Sequence, residues 1–64
     1  MTIGPGKYDD ICTTVRERTN AQAVALIVLD GDKGNGFSVQ SSAAVLKILP
    51  DILESMARQI RSDA

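Results

Sequence analysis

The residues best equipped for chemistry lie in one stretch, Asp30-Gly31-Asp32-Lys33-Gly34-Asn35-Gly36-Phe37. Three glycines within residues 31–36 free the backbone for turns and expose its N–H groups. Successive amides in such a turn can form a nest for an anion. Lys33 would add positive charge for a phosphate or carboxylate, Asn35 would add polar contacts, and Phe37 could stack on a bound ring. The candidate ligand-binding set is therefore Gly31, Lys33, Gly34, Asn35, Gly36 and Phe37. The plainer reading, and the more common one for glycine-rich turns, is a hairpin turn chosen for its backbone geometry, with Phe37 in the core beside Val39.

Two sharper readings of this stretch fail. A phosphate-binding P-loop needs GxxxxGK[ST] leading into a helix. Here no GK[ST] occurs and a strand-like segment follows. An EF-hand calcium loop needs three spaced oxygen ligands and a distant glutamate. Asp30 and Asp32 fit the first two positions, but Gly34 replaces the third and Ser41 stands where the glutamate belongs.

Elsewhere the chemistry is sparse. The absence of histidine removes the commonest general base. Ser38, Ser41 and Ser42 have no evident base partner. Asp9, Asp10, Glu17, Asp51, Glu54 and Asp63 fall on polar helix faces, as a solvated surface would. One cysteine without histidine supports neither an internal disulfide nor a zinc site. Cys12 lies on an apolar helix face and reads as a small buried hydrophobe. Tyr8 reads as an edge-of-core residue with a wet hydroxyl. The chain is thus expected to be non-enzymatic, with no catalytic residue, metal or cofactor.

The elements that must carry the turn follow from hydrophobic spacing. Residues 1–6, with Gly4, Pro5 and Gly6, read as a flexible leader, and residues 7–64 as one domain. Tyr8, Ile11, Cys12, Val15 and Thr19 mark one face of a helix over residues 7–20. Asp9 and Asp10 at its start and Arg16 and Arg18 near its end suit the helix dipole, and Asn20 is a stop signal. Residues 23–29 are apolar at every position, as in a strand covered on both faces. Residues 37–41 alternate, which places Phe37 and Val39 inward and Ser38 and Gln40 outward. Ser41 or Ser42 caps a last helical region whose stripe is Val45, Leu46, Leu49, Ile52, Leu53, Met56 and Ile60. Pro50 either kinks that helix or starts a new one, and Asp51 and Glu54 favour a new start. The fold class is α+β, a helix–β-hairpin–helix (αββα) domain.

Composition bounds the partners. Seven basic and eight acidic residues give a net charge of −1, and the basic residues are scattered. Duplex nucleic acid is not an expected partner. The longest apolar run is too short to span a bilayer, no basic segment with an apolar core opens the chain, and a cytoplasmic setting is expected. A 64-residue chain buries only about 60% of its unfolded surface. With no disulfide or metal, oligomerisation is the remaining support. The expected homodimer pairs the first strands antiparallel across a two-fold axis and completes a four-stranded sheet, with the second strands outermost. Helix pairing through the stripe from Leu49 to Ile60 is the alternative.

The stretch Ala25-Leu26-Ile27-Val28-Leu29-Asp30-Gly31-Asp32-Lys33-Gly34-Asn35-Gly36-Phe37-Ser38-Val39, with Leu49-Pro50-Asp51-Ile52-Leu53 downstream, resembles small uncharacterised proteins of tailed phages and bacterial prophages. It covers about two thirds of the chain, and its GxxGxGFSV motif points to no mechanism. The resemblance implies a phage accessory protein that acts by binding, for instance against host defence. The leading expectation is a homo-oligomeric binding module that holds a small anionic ligand, such as a nucleotide, near residues 31–37. The second is an accessory factor that docks on a host protein.

Overall fold

Acids at one end and bases at the other place the first helix where the dipole favours it. In a computed structural model, which describes residues 1–63, the order of elements is β1 (Thr2–Ile3), α1 (Asp9–Thr19), β2 (Ala23–Gly31), β3 (Gly34–Ser41), α2 (Ala43–Leu46) and α3 (Leu49–Asp63). α1 ends at Asn20, whose left-handed φ of 56° turns its N–H back onto the carbonyls of Arg16 and Glu17. The α+β class and the helix–hairpin–helix order stand.

Residues 1–6 are not a free leader. Thr2 pairs with Gln40 and Ile3 with Val39, antiparallel, and the Met1 nitrogen donates to the Ser41 carbonyl at 2.8 Å. The physical reason is that β3 has two edges and β2 fills only one. Gly4, at φ 130°, then passes against the Phe37 carbonyl so closely that a Cβ would strike it. The sheet order is β1-β3-β2. β3 is therefore central rather than outermost, and β2 keeps a free edge.

The faces also differ from expectation. Val24, Leu26 and Val28 of β2 pair with Gln40, Ser38 and Gly36 of β3, so these six share one side of the sheet, the side that α1 covers. Ser38 and Gln40 are thus buried, not outward. Polar residues can sit there because α1 answers them. The Ser38 hydroxyl donates to Asp9 Oδ1 at 2.7 Å. Gln40 Nε2 donates to the Asp9 carbonyl at 3.0 Å and to Thr13 Oγ1 at 2.7 Å. Cys12 Sγ is wholly buried and lies 3.7 Å from the Ser38 carbonyl. Among the described residues no buried side-chain polar atom lacks a partner.

Ala25, Ile27, Phe37 and Val39 point to the opposite side, joined there by Ile3 opposite Val39. Little covers it. β2 is apolar from Ala23 to Leu29, yet over residues 24–29 only Val24, Leu26 and Val28, on the α1 side, are half-buried. Ser42 caps α2, accepting from the Val45 N–H. Pro50 stands second in α3, the first-turn position where its missing N–H costs nothing. The last helical region is therefore a short turn followed by a fresh helix, not one kinked helix. Leu46 of α2 and Leu49, Pro50 and Leu53 of α3 line a small apolar pocket together with Ile3 and Val39 of the sheet. Among the described apolar residues, only Tyr8, Cys12 and Leu49 are buried.

Candidate functional site

The hairpin tip is a tight turn at Asp32–Lys33, with Gly31 paired to Gly34. The pairing shifts between Val28 and Gly31, where Leu29 and Asp30 together face Asn35. This is a bulge, and it explains two residues. Asp30 takes a left-handed φ of 57°, a conformation Asp tolerates better than most residues. Its N–H, displaced from the ladder, donates to Asn35 Oδ1 at 2.7 Å. Gly34, at φ 83°, closes the turn.

Tyr8 anchors the tip from beneath. Its hydroxyl accepts from the Lys33 N–H at 3.1 Å and donates to the Gly34 carbonyl at 2.6 Å. The ring lies against Gly36, where a Cβ would sit 3.1 Å from two ring carbons. A Cβ at Gly31 would fall 2.8 Å from the Tyr8 hydroxyl and 2.6 Å from Val28. The glycines at 31 and 36 thus make room for a tyrosine. Lys7 Nζ donates to the carbonyls of Lys33 at 3.3 Å and Asn35 at 3.1 Å. Lys33 Nζ returns the contact to the Lys7 carbonyl at 3.3 Å.

This geometry sorts the six nominated ligand residues. Gly31 and Gly36 face Tyr8, and Lys33, Gly34 and Asn35 form the tip. Phe37 belongs to the other side of the sheet, among Ala25, Ile27 and Val39. Two amides that an anion nest would use, those of Asp30 and Lys33, are already bonded internally. The exposed ammonium groups of Lys7 and Lys33, each also donating to a backbone carbonyl, bring two positive charges together at the tip. Among the described residues, no group of three or more His, Cys, Asp or Glu is placed to hold a metal ion.

A larger feature lies on the side of the sheet away from α1. The uncovered side of the sheet forms a concave apolar groove of about 570 Å³. Ala25, Ile27, Leu29, Phe37 and Val39 make its floor, and Pro5 and Leu53 help to line it. Leu29 is 76% exposed, Ile27 68% and Phe37 45%. Beside it, α3 exposes Ile52, Met56 and Ile60, at the i, i+4, i+8 spacing of one helical face. The signal in the sequence was the strand with no polar alternation: a second apolar face on β2 demands a cover, and the chain supplies little. No protein-family model, curated protein or solved structure matches the chain.

Proposed function

We propose that this chain is a non-enzymatic, homo-oligomeric protein-docking module whose binding surface is the open side of its sheet. The observation that supports this is the contiguous exposure of Ile27, Leu29 and Phe37 over the groove. Isolated apolar residues at a surface need no explanation, but a contiguous patch of large ones marks an interaction site. A groove lined almost wholly by apolar carbon, with Asn35 the one polar side chain in its lining, fits a protein surface better than a reaction centre. The setting within the proposal is the cytoplasm, as an accessory factor of the phage type that the hairpin resembles. No helix among the described residues is long and apolar enough to cross a membrane.

A photo-crosslinking residue at Leu29, introduced into the protein in the producing cell, tests the docking surface. Discrete protein adducts are expected from Leu29, and none from the same residue at exposed Thr14 on α1. Identical adducts from both positions, or none from Leu29, would remove the surface from consideration.

The two ammonium groups at the hairpin tip favour a second reading, a contact for a small anion such as a nucleotide. The readings differ in a thermal-shift titration. An anion held at the tip would raise Tm, by the equivalent of about 2.7 kcal/mol at a hundredfold excess over Kd, and Lys33→Glu would abolish the rise without unfolding the protein. The docking reading predicts no rise with phosphate or nucleotides for either protein. Lys33 lies at an exposed turn, so Lys33→Glu should change stability by less than about 0.5 kcal/mol.

A further inference from the structure

We propose that the occupant of the open side is a second copy of this chain, with α3 of each protomer laid across Ile27, Leu29 and Phe37 of its partner about a two-fold axis. This names the partner for the docking surface and rests on that reading.

The surface area carries the proposal. The chain exposes 4823 Å², whereas a compact folded monomer of its mass, 6.8 kDa, exposes about 3,950 Å². The excess over a compact monomer, about 870 Å², matches the ~800 Å² that each partner buries in a standard-size interface. The radius of gyration agrees. It is 12.4 Å, against about 10.7 Å for a compact chain of this length. The protomer is too open for its size by one interface.

Two apolar surfaces need cover, and they complement each other. The groove is concave and lined by Ile27, Leu29 and Phe37. The stripe Ile52, Met56, Ile60 is convex, on a helix of 15 residues that is about 22 Å long. A two-fold contact that sets the stripe of one copy in the groove of the other buries both surfaces twice over, because every residue pair recurs by symmetry. Pairing of the free β2 edges, the arrangement expected from sequence, would leave both groove and stripe bare. Pairing α3 with α3 alone would cover the stripe and leave the groove bare.

The test is mass in solution over a concentration series, by light scattering, for the wild type, Leu29→Lys and Met56→Lys. Leu29 and Met56 lie on different elements and are 76% and 50% exposed, so neither substitution disturbs the protomer. A folded wild-type dimer is expected, with each substitution weakening it about 30-fold or more, as for a central interface residue. A dimer that neither substitution weakens overturns the proposal in favour of the β2 edge. A wild type that stays monomeric also overturns it, and an apolar fluorescent dye then decides the fate of the docking reading. Dye bound by the monomer and lost in Leu29→Lys leaves the surface open for a different protein. No dye bound means that α3 closes over its own sheet, and the docking reading falls as well.

Discussion

Tyr8→Ala is expected to cost about 3–5 kcal/mol, the usual loss for a buried aromatic. A domain of 64 residues has a total stability of only about 3–10 kcal/mol, so this one substitution removes much or all of it. Tyr8 is 4% exposed. Its ring fills the space that Gly31 and Gly36 leave, and its hydroxyl ties the start of α1 to the hairpin turn at Lys33 and Gly34. Tyr8→Phe separates these contributions. It keeps the ring and leaves the Lys33 N–H and Gly34 carbonyl without their partner, at about 1–3 kcal/mol. Urea denaturation at one fixed protein concentration reads both changes. A Tyr8→Ala variant within about 1 kcal/mol of wild type would mean that the hairpin tip does not rest on α1.

Asp9→Ala is expected to cost about 2–3 kcal/mol, and Asp10→Ala, one residue further on, about 0.3–1 kcal/mol. Both acids stand in the first turn of α1 and oppose its dipole. Only Asp9 also accepts the hydroxyl of Ser38, which is fully buried. Removing the carboxylate strands that hydroxyl between helix and sheet. The double variant Asp9→Ala with Ser38→Ala removes donor and acceptor together and should recover part of the loss, since an absent pair costs less than half of one. Equal losses for Asp9→Ala and Asp10→Ala would show that only the helix dipole is at work.

How much of this was legible in the sequence varies by element. α1 and its stop at Asn20 followed from spacing and charge, both local properties. At Pro50 the spacing left a kink and a fresh helix both open; Asp51 and Glu54 favoured the fresh start, and the structure has it. Strand faces were not local. Alternation of Phe37, Ser38, Val39 and Gln40 gave the period correctly and the direction wrongly, because the polar side of β3 is buried against Asp9 and Thr13, which are distant in sequence. Thr2 and Ile3 escaped for the same reason: two residues beside three leader positions of Gly and Pro carry no strand signal, and only the free edge of β3 recruits them. At the candidate site, the bulge and its Asn35 contact explain the turn's composition without a ligand. The groove was implicit in β2, whose continuous apolar run required a cover on both sides.

The central claim is that the open side of the sheet is covered in solution by another copy of the chain. Methyl NMR with a dissolved paramagnetic agent measures this directly, as broadening of the Ile27 and Leu29 signals in the wild type and in Met56→Lys. Ile11, 48% exposed on α1, serves as the reference and should broaden in both proteins. The account predicts that Ile27 and Leu29 are shielded in the wild type and broaden as strongly as Ile11 once Met56→Lys has released α3 of the partner. Ile27 and Leu29 signals that broaden equally in both proteins would contradict it.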